Sequence, residues 1–420
     1  MHTLLFYEPG HFHAALTLRN ENPRVAARLH LYAQPGPDRE SFLALVDSFN
    51  SRRENPTHWQ LSVHEADDPL HQLIEERRGD VVVLAGRNAS KLATIARLHE
   101  AGFSVLADKP WLTSSEALGD LRRATAKPPL AMDIMTERHE ILARLRQRIV
   151  CDSRLFGEFA GNARCPAIEL ATVHHLYKLV NGRPLRRPWW YYDVGIQGDG
   201  MVDVQSHLID QVQWIVLGKR TGEYHRDVEL HHARRWTTPV PRDLYRESTG
   251  QSEFPKALVA CISNDVLALA CNGEIELSLD GVRARLRAEW GQREPPGSGD
   301  VHPSIVRGTR CNVRVRHGPD TGYVAQMHLE PNAGAAIGTR LDDAVAEWQE
   351  DFPGLGFEAV GDGFRFTVPD ALRSTHESHF AMVLENFLDY LDADRWPQWL
   401  SPGIRLRYEI IARARELALR

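Results

Sequence analysis

The chain has 420 residues, of which 43% are hydrophobic and 25% charged, and its formal net charge at pH 7 is −6. This length is large for one core, so we expect two domains with the composition of a soluble globular protein. The weak negative charge gives no basic surface for nucleic acid. No apolar run approaches the ~18 residues of a membrane span.

The N-terminus and the cysteines indicate the compartment. Met1 to Glu8 lacks the charged start and long apolar core of a signal peptide, so we expect a cytoplasmic protein. Five cysteines, widely spaced and without a Cys-x-x-Cys pair, fit reduced thiols.

The first predicted strand, Thr3 to Tyr7, is followed by a turn and a short helix. A dinucleotide fold places Gly-x-Gly-x-x-Gly at this turn. Gly10 matches the central glycine of this motif, but Glu8 stands in place of the first glycine and His13 in place of the third. A Glu8 carboxylate beside a phosphate is unfavourable unless it points away. His11 and His13 could cap and pack, or contact a cofactor or substrate, and both readings stay open.

The second predicted strand, Ala27 to Ala33, ends at Gln34. An acidic residue about 20 positions after the glycine turn commonly binds the adenosine ribose hydroxyls. Gln34 occupies that place, and Gln34 or Asp38 could bond the ribose. The choice between NAD and NADP is therefore left open by this stretch.

The segment from Gly79 to Pro110 predicts a βαβ unit. Val81 to Ala85 and Ser104 to Ala107 read as strands buried in a parallel sheet, and Ala89 to Ala101 reads as the helix between them, with Gly102 as its C′ glycine. The second strand delivers Asp108-Lys109-Pro110 to the carboxyl edge of the sheet, where open α/β sheets bind ligands. We expect a site role for Lys109 rather than a solvated surface position.

The first domain is predicted to end near residue 150. A capping box at Thr113 to Glu116 opens a helix, and Leu130 to Ile134 is its last strand. We place one domain at 1–150 and a second at 151–420, which begins with a strand at Phe156 to Arg164.

Two aromatic or histidine-rich stretches in the second domain suggest substrate contacts. Adjacent His174 and His175 rarely chelate one ion together, so we expect no metal there and favour substrate contact or packing. Trp189 and Trp190 lie in a dense aromatic run flanked by Arg187 and Asp193. Aromatic faces stack on sugar rings, so this run is either a wall of a carbohydrate site or a packed cluster.

The catalytic candidate follows Gly198 and Gly200. Asp203, His207 and Asp210 stand at i, i+4 and i+7, which is one face of a helix. A carboxylate one turn from an imidazole can fix its tautomer and tune its pKa, as a general base for a hydroxyl requires. The residues alone favour a different interpretation, a solvated face with an incidental salt bridge.

From Ala257 onward the pattern alternates as in an antiparallel sheet. Leu258 to Ala270 reads as one strand, and hairpin turns are predicted at Asn272-Gly273 and Asp280-Gly281. Two helices follow near the C-terminus, and we treat His376 and His379 on the first as structural.

Two segments resemble the glucose-fructose oxidoreductase and inositol dehydrogenase family (Gfo/Idh/MocA). Asp108-Lys109-Pro110 is similar to its Glu-Lys-Pro signature, and Gly198 to Asp210 to its glycine-rich Asp-x-x-x-His-x-x-Asp segment. Pro9 to His13 and Asp133 to Arg138 resemble a subgroup of oxidoreductases without an assigned substrate. The resemblance implies an N-terminal Rossmann-type parallel sheet followed by an α+β domain with a mostly antiparallel sheet.

The resemblance also implies an activity: hydride transfer between NAD or NADP, with NAD preferred, and a hydroxyl or ketone of a sugar, glycoside or polyol. His207 would take the hydroxyl proton, Lys109 would polarise the oxyanion, Asp203 would orient both, and Asp210 could position a substrate hydroxyl. Lys109 and His207 are expected to converge beside the nicotinamide. We expect a homo-oligomer, a dimer or tetramer, with no nucleic-acid or membrane partner.

The predicted contacts form two groups. The cofactor group is Gly10, His11, Phe12, His13, Gln34, Asp38, Gly86, Asn88, Asp108, Lys109 and Pro110. The substrate group is Lys109, His174, His175, Trp189, Trp190, Asp203, His207 and Asp210. Two other functions stay open: a lyase or hydrolase with tightly bound NAD and no net redox change, and a non-catalytic carbohydrate-binding protein.

Overall fold

The computed structural model describes residues 1–126, 128, 131–180 and 183–420. These residues group into two compact units. The first comprises Met1–Thr136, Pro188–Gly198 and Thr375–Arg413, and the second comprises Glu137–Arg187, Asp199–Ser374 and Ala414–Arg420. The first unit thus contains two later segments that a single cut at residue 150 assigns to the second domain.

The strands and helices are numbered in chain order. The strands are β1 Leu4–Tyr7, β2 Arg28–Tyr32, β3 Gln60–His64, β4 Val81–Leu84, β5 Ser104–Asp108, β6 Ala131–Ile134, β7 Ile168–Tyr177, β8 Leu179–Val180, β9 Arg183–Pro184, β10 Val228–Pro241, β11 Ile262–Ser263, β12 Val266–Leu279, β13 Val282–Arg293, β14 Ser304–Arg307, β15 Cys311–Arg316, β16 Gln326–Pro331, β17 Gly356–Val360 and β18 Gly363–Thr367. The α-helices are α1 His13–Leu16, α2 Pro37–Ser51, α3 Pro69–Glu76, α4 Lys91–Glu100, α5 Leu118–Ala124, α6 Ile141–Cys151, α7 Gln205–Leu217, α8 Tyr224–Asp227, α9 Arg242–Thr249, α10 Gly338–Glu347, α11 His376–Asp392 and α12 Leu400–Ala418.

The first unit is built on a six-stranded parallel sheet with the order β3-β2-β1-β4-β5-β6. Leu5 pairs with Val82 of β4 and with His30 of β2, which puts β1 at the centre. The strand order reverses between β1 and β4, and ligands of open α/β sheets bind at such a switch point. The predicted Rossmann-type topology is confirmed.

The predicted βαβ unit forms because its strands are apolar throughout. β4 and β5 are buried along their whole length, as expected for strands covered on both faces. The helix between them ends where Gly102 adopts a φ of +80°, the left-handed conformation of a C′ glycine.

Of two predictions for the chain after this unit, one is wrong and the other lies partly outside the described residues. The capping box at Thr113 to Glu116 does not form: a 3-10 turn at Ser115–Ala117 precedes α5, and its N-cap Ser114 makes no side-chain capping bond. The last strand begins at Ala131, and the predicted first residue, Leu130, lies outside the described residues.

The second unit contains a mixed sheet with the order β10-β12-β13-β7-β14-β15-β16-β18-β17, and β11 pairs with β12. The pair β13 and β7 is parallel, and the other pairs along this order are antiparallel. The predicted mostly antiparallel second sheet is confirmed. Asp280 and Gly281 both have positive φ, 49° and 77°, as the predicted hairpin turn between β12 and β13 requires.

The predicted turn at Asn272-Gly273 is wrong, because β12 runs through both residues. The amide Nδ2 of Asn272 donates to Thr238 Oγ1 at 2.9 Å, and a Cβ at Gly273 would lie 2.5 Å from the carbonyl oxygen of Gly200. This glycine therefore permits a close approach between chains rather than a change of direction.

The predicted strands at the two ends of this region are also corrected. Phe156 to Arg164 contains only an isolated bridge from Phe159 to Gly308, because Gly157 at φ +80° interrupts the extended backbone. The first part of the predicted strand at Leu258 to Ala270 is a 3-10 turn, Lys256–Cys261. Among the described residues, no helix is both long and apolar enough to cross a bilayer.

Candidate active site

The carboxyl edge of the parallel sheet carries the Asp108-Lys109-Pro110 turn. β5 ends at Asp108, which is buried, and Lys109 leaves the sheet half-buried. The Lys109-Pro110 peptide bond is cis, and Pro110 is buried. Lys109 therefore lies after a buried strand, as predicted.

The turn after β1 is closed by backbone hydrogen bonds. The amides of Gly10 and His11 both donate to the carbonyl oxygen of Ala85, at 3.0 Å each. Glu8 adopts a left-handed φ of 43°, and its Oε1 accepts the backbone amide of Gln34 at 2.9 Å. The Glu8 carboxylate is thus engaged at the end of β2, which reduces its conflict with a phosphate at the turn.

A side chain would be crowded at one predicted cofactor glycine, Gly10, and would collide with the backbone at the other, Gly86. A Cβ at Gly10 would stand 3.0 Å from Trp190 Cζ2 and 3.1 Å from an Asp38 carboxylate oxygen. A Cβ at Gly86 would stand 2.4 Å from the carbonyl oxygen of Glu8. At position 10 the group that approaches the glycine closely is the buried indole of Trp190, which belongs to the protein itself.

The two side chains predicted for the ribose have partners within the protein. Asp38 Oδ2 accepts the indole Nε1 of Trp190 at 2.9 Å and lies 3.5 Å from Arg87. The side-chain amide of Gln34 donates to the carbonyl oxygen of Ala66. These contacts show what holds the loops at the end of β2, and they leave the ribose contacts of Gln34 and Asp38 a prediction.

A buried lysine that the sequence reasoning missed connects the loop after β4 to β5. Lys91 donates to Asn88 Oδ1 and, at 2.9 Å, to the backbone carbonyl of Asp108. Asn88 Nδ2 in turn donates to the carbonyl oxygen of Gln197 at 2.7 Å. The sequence signal was weak, because a lysine at the first residue of a helix ordinarily points to solvent.

His11, His13 and Asp108 form a polar cluster at the same edge of the sheet. Asp108 Oδ2 lies 2.9 Å from His13 Nδ1 and 3.5 Å from His11 Nδ1. The two imidazole rings are perpendicular with centroids 4.0 Å apart, and the ring of Phe12 flanks both of them. The structure therefore brings together the predicted cofactor residues Gly10, His11, Phe12, His13, Gly86, Asn88, Asp108, Lys109 and Pro110 at the carboxyl ends of β1, β4 and β5.

In the second unit the Asp-x-x-x-His-x-x-Asp segment spans a turn and the start of a helix. α7 begins at Gln205, so Asp203 lies in the preceding turn, whereas His207 and Asp210 lie on the helix. Asp203 is buried and His207 is half-buried. Burial raises the pKa of the Cys271 thiol to about 11; the nearby Asp203 charge adds to this rise, and hydrogen bonds to Thr238 oppose it.

The glycine-rich entry to α7 fits tightly against β12. A Cβ at Gly200 would lie 2.3 Å from backbone atoms of Asn272, so the glycine permits this contact. The side-chain amide of Gln205 donates to the carbonyl oxygen of Gly273 at 2.8 Å. These contacts fix the start of the helix that carries His207.

Two buried carboxylates, Asp210 and Asp199, hold the same segment through ion pairs with three arginines. Asp210 accepts hydrogen bonds from Nε and Nη2 of Arg138, both at 2.7 Å, and its side chain is only 1% exposed. Asp199 accepts from Arg235 and Arg415, each at 3.0 Å. Sequence reasoning did not assign Arg138 or Asp199, because each finds its partner far away in the chain.

The predicted substrate residue His174 belongs to a hydrogen-bonded cluster on β7. Its Nδ1 lies 3.0 Å from Asp300 Oδ2, which also accepts the Lys178 ammonium at 2.6 Å. Its Nε2 lies 2.9 Å from Thr172 Oγ1, and its ring stacks on Trp290 with centroids 5.0 Å apart. Burial lowers the pKa of His174. Burial opposes ionisation of Asp300, but His174 and Lys178 outweigh it and hold the pKa of that carboxyl well below its usual range.

The remaining predicted substrate residues differ in burial. His175 is buried against Gly291, where a Cβ would lie 2.7 Å from its ring, and burial lowers its pKa. Trp190 is fully buried in the first unit, whereas Trp189, its neighbour in a 3-10 turn, is half-buried. Trp189 is thus the more accessible of the two tryptophans.

Known proteins match most of this chain. A family model described as "Putative oxidoreductase C terminal domain" matches residues 145–419. A crystal structure described as a putative oxidoreductase from Parabacteroides merdae ATCC 43184 is 36% identical, with a TM-score of 0.96, covering 100% of this chain and 97% of that one.

More distant structures share the fold. Levoglucosan dehydrogenase, in complex with NADH and L-sorbose, is 13% identical with a TM-score of 0.65, covering 99% of this chain and 96% of that chain. A putative myo-inositol dehydrogenase from Sinorhizobium meliloti 1021 is 13% identical with a TM-score of 0.57, covering 100% of this chain and 98% of that chain. Among curated proteins, none matches the sequence.

Proposed function

Since the chain belongs to this oxidoreductase family, which is of the Gfo/Idh/MocA type, we propose that it transfers a hydride between a nicotinamide cofactor and a carbohydrate. The reacting group would be a hydroxyl or ketone of a sugar, glycoside or polyol. The observation that carries the proposal is Lys109, which β5 delivers to the carboxyl edge of a sheet with the dinucleotide-binding strand order.

The residues at that edge fit the phosphate and nicotinamide half of a dinucleotide. Gly86 lies where only glycine avoids a collision, Gly10 packs tightly on Trp190, and the Glu8 carboxylate accepts the backbone amide of Gln34. The loops that would hold the cofactor are those of Gly10 to His13, Gly86 to Asn88 and Asp108 to Pro110. We prefer NAD, because an acidic Asp38 after β2 disfavours a 2′-phosphate. When bound, the nicotinamide would accept or donate the hydride.

The protein's own residues would move the proton and stabilise the charge. In the proposed reaction His207 takes the proton from the substrate hydroxyl, and Lys109 stabilises the negative charge that develops on its oxygen. Asp203, in the turn before α7, orients these groups. Because Asp210 is already paired with Arg138, we propose that it positions α7 rather than binding substrate.

The proposed substrate class is supported by the relatives and by the polar residues of β7. Proteins of the same fold include levoglucosan dehydrogenase and a 3-ketoreductase from Actinomadura kijaniata. We propose that His174 and the half-buried Trp189 contact substrate, whereas His175 and Trp190 serve packing. We also propose a homo-oligomer, dimer or tetramer, which light scattering would measure.

Nucleotide content is the first test. The purified chain, denatured and extracted, should release NAD or NADP, or should bind added NAD in a fluorescence titration. Incubation with a panel of sugars and polyols should then produce reduced cofactor, which absorbs in the near ultraviolet. If the protein neither releases nucleotide nor binds added NAD, the proposal is contradicted. Product formation without a change in absorbance would indicate an internal redox cycle.

A further inference from the structure

We propose that His11, His13 and Asp108 form a binding site for one divalent transition-metal ion, with zinc as the best match. The sequence analysis predicted no metal site, and it placed the two histidines in the turn after the first strand and Asp108 in a separate motif. The fold unites them: His11 and His13 follow β1, and Asp108 ends β5.

The spacing of the three side chains suits a single ion. One ligand atom from each residue lies within 4.8 Å of the others, and these are the residues that form such a group in the described part of the chain. With bonds of about 2.0–2.1 Å, two ligands of a tetrahedral ion stand about 3.3–3.4 Å apart. The distance from Asp108 Oδ2 to His11 Nδ1 is 3.5 Å, close to this value. The distance to His13 Nδ1 is 2.9 Å and needs to open by about 0.4 Å.

The surroundings hold the ligands in place and shield them from water. The side chains of His11, His13 and Asp108 are 15%, 9% and 5% exposed. His13 also packs on Phe380 of α11, with ring centroids 4.5 Å apart. The Lys91 ammonium donates to the backbone carbonyl of Asp108, while the carboxylate Oδ2 faces the histidines. His11 is the most exposed of the three proposed ligands.

The donor set selects the class of metal. Imidazole nitrogen with a carboxylate oxygen suits zinc and related transition metals, whereas calcium and magnesium prefer oxygen ligands alone. Three protein ligands leave one position of a tetrahedral ion for water or an anionic oxygen. The three ligands lie in the loops proposed to hold the cofactor, but zinc binding itself needs neither cofactor nor substrate and is measured on nucleotide-free protein.

Zinc binding to the full-length chain tests the inference. Protein stripped with a chelator and dialysed is titrated with Zn²⁺ alone by calorimetry, and bound metal is counted by mass spectrometry. We expect one Zn²⁺ per chain. Co²⁺ in place of zinc should give the visible absorption of a four-coordinate nitrogen and oxygen site. Asp108→Asn and His11→Gln should each weaken binding at least about tenfold.

His64→Gln is the matched control. His64 lies in the same unit, its ring is 15% exposed, and its Nε2 is 3.0 Å from Nδ1 of His30. This variant should keep the wild-type zinc affinity. If Asp108→Asn does not fold, His11→Gln, at the most exposed ligand, decides the question. The inference would be overturned if the protein bound no stoichiometric zinc, or if both ligand variants still bound zinc as the wild type does. Nucleotide extraction from the same samples tests the oxidoreductase proposal separately.

Discussion

Lys109 follows a buried strand, whereas His207 lies on the first turn of α7, so each proposed catalytic group is fixed by a different element. Neither side chain supports the core of its unit in the way that a buried aliphatic residue does, because both are half-buried. Their removal should therefore affect chemistry more than folding.

Lys109→Ala and His207→Ala should each lower kcat by about 10²-fold or more, the usual contribution of a positioned acid, base or charge. The dissociation constant for the cofactor should change little, because the catalytic roles proposed for both side chains concern the substrate hydroxyl and its oxygen, and the rest of the nucleotide-binding loops is unchanged. Steady-state kinetics and a fluorescence titration measure the two effects, with the exposed Lys219→Ala as control. Parallel loss of cofactor affinity would contradict the assigned roles.

The pair Asp210 and Arg138 should be structural. Asp210→Ala leaves the Arg138 guanidinium without its two hydrogen bonds of 2.7 Å, and breaking a buried ion pair costs about 3–5 kcal/mol of unfolding free energy. Asp351→Ala removes the exposed ion pair with Arg148 and should cost less than about 1 kcal/mol. Urea denaturation compares the two variants, and equal losses would show that the Asp210 pair is not an important support of α7.

At the scale of elements, the same substitution should have opposite effects at two glycines of the first unit. Gly86→Ala places a Cβ 2.4 Å from the carbonyl oxygen of Glu8, and such overpacking costs about 1–3 kcal/mol. Gly119→Ala in α5 meets nothing within 4 Å and should stabilise the protein by about 0.5–1 kcal/mol. Thermal unfolding of both variants checks the signs, and a stable Gly86→Ala protein would show that the two loops are not held as described.

The sequence predicted best those elements whose runs of apolar residues directly indicate that they are buried. β4 and β5 are continuous apolar runs, and α4 ends at a glycine with positive φ. β10 was not predicted, because it is an edge strand whose polar residues do not alternate cleanly. The turn predicted at Asn272-Gly273 failed for a different reason: contact with Gly200, not chain reversal, requires the glycine.

At the scale of the whole molecule, acid should destabilise the fold. Unfolded histidines take up protons near pH 6.5, whereas burial lowers the folded pKa of His30, His64, His174, His175, His317 and His328. Below pH 6.5 the unfolded state therefore binds more protons, and stability falls as pH falls toward the folded pKa values.

The midpoint of thermal unfolding should accordingly decrease from pH 7.5 to pH 5.5. The double variant His30→Gln with His64→Gln removes two of these groups and should flatten the dependence, because the unfolded chain then takes up fewer protons. Differential scanning calorimetry at constant ionic strength measures both profiles. A midpoint that rises on acidification would mean that the folded histidines hold protons more strongly than the unfolded ones.

The sequence by itself determined the Rossmann-type parallel sheet, the mostly antiparallel second sheet, and the motifs at Lys109 and His207. Local patterns suffice for these, because buried strands, helix ends and short motifs are encoded by neighbouring residues. Only the tertiary structure decided that Trp190 covers Gly10, that Asp210 pairs with Arg138, and that His11 and His13 meet Asp108. Each of these contacts joins residues distant in sequence, and no local pattern contains the distance between them.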